Sequence, residues 1–154
     1  QSLAEKLVAL GLSVSGVDPA PDAPAWCAAN GVHHGDLREL IPGVDVLAIT
    51  CPLNDQTRGL VDADLIGSMR PRSWLINVGR GPVVRLDALV AALERGHLAG
   101  AGLDVYENEP LGQHRIADLD NVILGSHNAS NTHEACQRTH VAAIDNLLSG
   151  LGLE

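Results

Sequence analysis

The sequence predicts an α/β domain built on a doubly wound parallel sheet, and three observations lead there. Short runs of Val, Ile, Leu and Ala, roughly four to seven residues each, alternate with amphipathic stretches of about ten residues, the rhythm of strand-crossover-strand units. Aromatic residues make up only 2% of the chain and Phe is absent. The core must therefore be aliphatic, which suits strands covered by helices on both faces. Finally, 154 residues with 45% hydrophobic content are enough for one domain with a real core.

The elements follow in order. Leu3, Leu7, Val8 and Leu10 share a helical face in Ser2 to Leu10, and Gly11 stops it. Leu12 to Val17 is a short strand ending at Asp18. Pro19, Pro21 and Pro24 keep the next stretch extended. Pro24 then opens a helix through Asn30, closed by Gly31. Val44 to Ile49 reads as a buried strand, Asp62 to Met69 as a helix, and Ser73 to Val78 as a second buried strand. Leu86 to Arg95 presents Leu86, Leu89, Val90 and Leu93 on one helical face before Gly96. Ala99 to Val105 and Asn121 to Leu124 complete the buried strands. The last helix runs from about Asn131 to Leu148, with Asn131 and Glu134 spaced as a capping box. No repeat, low-complexity segment or interdomain linker interrupts this order.

Charge and cysteines narrow the functional classes. Ten basic against nineteen acidic residues give a net charge of −9, a field that repels nucleic acid. The single lysine is Lys6, and no Lys/Arg run exists. Cys27, Cys51 and Cys136 are too scattered for a zinc knuckle or disulfide framework, so a reduced, cytoplasmic setting is expected. The N-terminus shows no signal pattern. The longest apolar run, Val44 to Leu53, is broken by Asp45 and Pro52 and is too short to span a bilayer, so no membrane role is expected. Histidines and acids lack metal-ligand spacing, and His33-His34 stands isolated, so no metal is assigned.

Ligands of such sheets bind at the C-terminal ends of the strands, and those ends carry distinctive residues here. Asp18 follows the first strand, Thr50-Cys51-Pro52-Leu53 the next, and Asn77-Val78-Gly79-Arg80-Gly81 the third. Asp104 through Pro110 follows the fourth, and Ser126-His127-Asn128 the last. A dinucleotide-binding unit also needs an opening strand and a GxGxxG turn whose amides meet the pyrophosphate. This chain begins with a helix instead, while Asp18 sits where an acid would cap the adenosine ribose. The expectation is a fragment: a partial nucleotide-binding domain over residues 1–154, with the substrate domain largely outside it.

The stretches INVGRGPVV, HLAGAGLDVYENEP and DNVILGSHNAS resemble the signature blocks of the D-isomer-specific 2-hydroxyacid dehydrogenases, in the family's order. With PLNDQTRGLVD they cover about Val44 to Thr132; the earlier part agrees more loosely through VDP. The resemblance implies a Rossmann-type doubly wound parallel sheet, here lacking its first strand and Gly-rich turn. It also implies NAD as cofactor, a small 2-hydroxy or 2-keto acid as substrate, and a homodimer. Phosphoglycerate dehydrogenase-like members are nearest in flavour, followed by glyoxylate and hydroxypyruvate reductases.

Residue by residue, the resemblance makes Arg80 the substrate-carboxylate ligand, a role for which a planar guanidinium is suited. His127 matches the acid/base: removing hydride from C2 leaves a carbonyl only if the hydroxyl proton also departs, and imidazole exchanges protons near neutrality. Glu109, directly before Pro110, matches the carboxylate that orients the imidazole and favours its protonated form, with Glu107 as a nearby decoy. Asp18 would bind the ribose. No basic residue lies between Asp18 and Leu37 to welcome a 2′-phosphate, which favours NAD over NADP. Thr50, Cys51, Pro52, Val78, Gly79 and Asn128 would line the cofactor, and Asp104 would lie near the nicotinamide carboxamide. Ser126 stands where many members have proline, which blurs the substrate assignment.

Two functional classes stay open at this level. One is hydride transfer between NAD and a D-2-hydroxy acid. The other is an NAD(H)-sensing, corepressor-like protein that kept the fold for regulation. In either case the 154-residue piece alone is expected to be inactive, since it lacks the phosphate-binding turn.

Overall fold

The computed structural model describes residues 1–153. Its main body is a four-stranded parallel sheet in the order β3-β4-β5-β6. The strands are β3 (Val46–Ile49), β4 (Trp74–Asn77), β5 (Gly100–Leu103) and β6 (Val122–Leu124). Each step across the sheet goes to the neighbouring strand in the same direction, through α4 (Ala63–Ser68), α5 (Leu86–Glu94) and a short 3₁₀ turn at Arg115–Asp118. Right-handed crossovers taken always in one direction put their helices on one face of the sheet. The core lies there: Leu65, Ile66, Leu89, Val90 and Leu93 cluster with Leu75, Ala101 and Leu103, each at most 3% exposed.

The opposite face differs from expectation. These strands read as buried on both sides, yet Val46, Trp74, Ile76 and Ile123 are 38–74% exposed. The Rossmann-type parallel α/β fold class holds, with the described crossover helices gathered on the covered face. Neither α1 (Ser2–Ala9) nor α6 (His133–Leu151) has a buried residue.

The N-terminal segment forms a small unit of its own. Two short strands, β1 (Ser15–Gly16) and β2 (His33–His34), pair in parallel around α2 (Ala23–Ala29), with Ala23, Cys27 and Val32 buried. The strand expected over Leu12 to Val17 shrinks to its last part, and the His33-His34 pair supplies a partner strand that the sequence reading missed. Leu37–Leu40 (α3) also went unread; Asp36 caps it by accepting from Arg38 N at 2.8 Å. Among the described residues no strand joins β1 to β3.

Helix ends follow the capping chemistry with one correction. Asp62 caps α4 by accepting from Leu65 N at 2.8 Å. The cap of α6 is Thr132, whose hydroxyl accepts from Ala135 N at 3.2 Å, rather than Asn131. Thr132 adopts the extended backbone that an N-cap requires, while Asn131 already sits in a turn closed on Asn128 O.

Candidate active site

The four strands end in register, Ile49 beside Asn77, Leu103 and Leu124. The residues that follow form a continuous rim, and most of the predicted site residues are on it. Gly125 N donates to Leu103 O at 2.7 Å, and His127 N to Asp104 O at 2.8 Å, so the last loop is stitched to the end of β5.

His127 has φ of +57°, a left-handed backbone that non-glycine residues seldom adopt and that clusters at functional sites. Asp104 holds it there: its carboxylate accepts from Asn128 N at 3.1 Å and Ala129 N at 2.8 Å. A Cβ on Gly125 would strike this same carboxylate, so the close approach needs glycine. The imidazole Nδ1 of His127 lies 2.7 Å from Glu109 Oε2, with both side chains partly open to solvent. A carboxylate can only accept, so Nδ1 carries a proton and Nε2 is the atom left to exchange one.

Glu109 is held from two sides, since its other oxygen accepts from Tyr106 N at 3.0 Å. The hydrogen bond from His127, then that from Tyr106 N, hold the Glu109 carboxyl below the usual carboxylate range, and the charges of His127 and Arg80 add to this. Arg80 thus belongs to the same electrostatic group as the pair. It is exposed, with Nη1 donating to Gly79 O at 2.8 Å.

Three residues outside the predicted set build the rim. Asn77 is 1% exposed; its Oδ1 accepts from Gly79 N and its Nδ2 donates to Arg80 O, both at 3.1 Å. It moulds the turn that presents Arg80, and its signal was a polar residue ending the apolar run WLIN two positions before Gly79. Gly81 lies against the backbone of Tyr106, where a Cβ would overlap the carbonyl, so only glycine brings the Arg80 loop onto the Glu109 loop. Tyr106 donates its hydroxyl to Gly125 O at 2.6 Å, tying the Glu109 loop to the His127 loop. Burial, then the charges of Asp104 and Glu109, push that phenol up, so it stays a neutral donor.

Thr50, Cys51 and Pro52 follow β3, with Thr50 and Pro52 exposed and Cys51 half-buried. Burial pushes the Cys51 thiol up, favouring its neutral form. Gly79 packs against Cys51 O, closely enough that a Cβ would come within 2.9 Å of it. Val78 and Asn128 are exposed on the rim. Asp18 stands apart, in the β1–β2 unit: its carboxylate accepts from Ala20 N at 2.9 Å, and its carbonyl lies 3.1 Å from His34 Nε2.

Among the described residues no three His, Cys, Asp or Glu side chains gather as a metal site, and no helix is long and apolar enough to cross a membrane.

Parallel strands whose C-terminal ends gather in register on one rim define an α/β domain of the nucleotide-binding type. The chain belongs to the D-isomer specific 2-hydroxyacid dehydrogenases, whose NAD binding domain matches residues 1–129. A glyoxylate/hydroxypyruvate reductase B of Pectobacterium carotovorum is 43% identical over 123 residues, covering 79% of this chain and 38% of that protein. The apo crystal structure of Rhodotorula graminis D-mandelate dehydrogenase matches with a TM-score of 0.86 at 32% identity, over 95% of this chain and 43% of that one. A D-isomer specific 2-hydroxyacid dehydrogenase from Xanthobacter autotrophicus, in complex with NADPH and MES, matches with a TM-score of 0.73 at 37% identity. That match covers 80% of this chain and 39% of the other. The chain therefore spans less than half the length of each of these relatives.

Proposed function

We propose that these residues form the nucleotide-binding half of an NAD-dependent oxidoreductase that interconverts a small 2-keto acid and its D-2-hydroxy acid. The observation that carries the reading is the 2.7 Å contact between His127 Nδ1 and Glu109 Oε2 at the strand-end rim. It leaves Nε2 free to move a proton.

The residues present fit the cofactor at two points. The small, backbone-lined surface of Gly79 against Cys51, with Thr50, Pro52, Val78, Asp104 and Asn128 around it, suits a flat ring. Both oxygens of Asp104 keep a lone pair for a carboxamide after binding the loop amides. Asp18, an exposed acceptor past β1, suits ribose hydroxyls, and its negative charge disfavours a 2′-phosphate. When bound, the nicotinamide supplies or accepts the hydride at C2. In the reducing direction His127 gives its Nε2 proton to the carbonyl oxygen, completing the hydroxyl. Glu109 keeps the ring oriented and balances the imidazolium charge. Arg80 swings from Gly79 O to hold the substrate carboxylate through paired hydrogen bonds.

The substrate-selecting walls would come from residues outside this chain, and the 154-residue piece alone is expected not to turn over. Similarity to a glyoxylate/hydroxypyruvate reductase favours those two keto acids over 3-phosphohydroxypyruvate. Three free cysteines suit a reduced, cytoplasmic setting, and a homodimer is the assembly the family implies. The test is NADH and NADPH consumption by the complete polypeptide with glyoxylate, hydroxypyruvate and 3-phosphohydroxypyruvate. Turnover of one supports the enzyme. NADH binding without turnover of any favours the sensing, corepressor-like alternative.

A further inference from the structure

We propose that Glu107, the acid that looks like a decoy for Glu109, is a positioning residue that pins the catalytic loop to the N-terminus of α5 and so holds Glu109 on His127. The inference rests on the acid/base reading of that pair.

The need arises in α5. A helix leaves its first amides without partners, and a capping side chain normally takes one. The N-cap of α5 is Arg85, which has no acceptor in its side chain and forms no cap bond. Glu107 fills the role from a distant loop: its Oε2 accepts from Leu86 N at 3.1 Å, and its Oε1 pairs with Arg85 Nη1 at 3.3 Å. A carboxylate there is also favoured by the positive end of the helix.

Both partners are well fixed. Leu86 is 8% exposed and belongs to the main core. The Arg85 guanidinium packs over Gly59, where a Cβ would come within 2.7 Å of its Nε. The other acid of this turn, Asp87, is engaged by Arg115 at 3.4 Å, leaving Arg85 to Glu107.

Two residues on, Glu109 divides its oxygens between Tyr106 N and His127. The segment from Tyr106 to Glu109 is thus held at three points: the Tyr106 hydroxyl on Gly125 O, Glu107 on α5, and Glu109 on His127. Among the described residues, Glu107 forms no hydrogen bond or ion pair with His127 or Arg80. Its effect must pass through the loop, and the charged groups facing Glu109 remain His127 and Arg80, with the buried Tyr106 phenol beside them.

The test compares Glu107→Ala, Glu107→Gln and Arg85→Met in the complete polypeptide, each first checked for folding by circular dichroism. The first readout is the ¹³C titration of the Glu109 carboxyl, which needs no turnover. Glu107→Ala should move that titration up toward the ordinary carboxylate value. It should also lower kcat on the order of ten- to a hundredfold, the scale of a loosened catalytic geometry, with KM for NADH unchanged. Glu107→Gln keeps an acceptor for Leu86 N and should retain most activity; Arg85→Met should fall between. A Glu109 titration that is the same in all three folded variants overturns the proposal. Should Glu107→Ala fail to fold, the milder pair decides by the same criterion. A protein that turns over no keto acid but shows the Glu109 shift keeps this inference and removes the dehydrogenase reading instead.

Discussion

At the rim of the four-stranded sheet, the groups around His127 are held from other parts of the chain, while Arg80 rests on its neighbour Gly79. Asp104 grips the amides after His127, Tyr106 grips Gly125 O, Glu109 grips His127, and Gly81 lies on Tyr106. At the end of β1, Asp18 is held by Ala20 two residues away, and among the described residues its hydrogen bond to a distant partner runs through its carbonyl to His34. Long-range bonds fix a side chain relative to other loops, whereas a local turn fixes it only relative to its own segment. On the proposed reading, the proton-transfer end is therefore preorganised within this chain, and the ribose end is only locally ordered. Substitutions at the rim should act on kcat and stability, and those at Asp18 on cofactor affinity.

The sharpest break would come at His127. His127→Ala should lower kcat by about 10²- to 10⁴-fold, the usual worth of a positioned acid/base, while NADH binding followed by fluorescence stays intact. Loss of NADH binding along with turnover would mean that the two ends are not separable. Gly81→Ala should cost about 3 kcal/mol or more, because the new methyl group overlaps the Tyr106 carbonyl in a packed interior. Urea unfolding measures it, and an unchanged midpoint would show that the two loops are not in contact.

Arg80→Ala should raise KM for the keto acid by roughly 10- to 100-fold, corresponding to about 1.5–3 kcal/mol for a charged hydrogen-bonding group, with KM for NADH unmoved. Asp18→Ser should reverse that pattern, raising KM for NADH about tenfold on the same scale and narrowing the preference over NADPH. Equal effects on both KM values in either variant would erase the contrast between the two ends.

The smallest effect concerns pH. Glu109 has a depressed carboxyl, so its contribution to stability is complete above the unfolded carboxylate value of about 4.3. It is lost as pH falls through the lower folded value. Thermal melts of Glu109→Gln and the parent should therefore differ most near neutrality and converge in acid. A difference independent of pH would show that the carboxylate charge plays no part.

Much of this was legible in the residues. Arg80, Glu109 and His127 fall on the loops expected for them, because a parallel sheet sends the ends of all its strands to one edge. Glu107 was not legible in its role. An acid in a loop looks the same whether or not a helix amide 21 positions away happens to lie opposite. The covered and open faces of the sheet were also indistinct, since Val46, Trp74 and Ile76 are as apolar as Leu75, and only the placement of helices tells them apart.

Local patterns by themselves determined the alternation of strand and helix, the aliphatic core and the rim on which the chemistry sits, because periodicity and turn residues act over a few positions. Only the tertiary structure decided which side chains meet. The Glu109–His127 pair spans 18 positions, the Glu107–Leu86 cap 21, and the Asp104 grip on Ala129 25. Contacts at such separations depend on register and on close backbone approach at Gly81 and Gly125, quantities that no local pattern encodes.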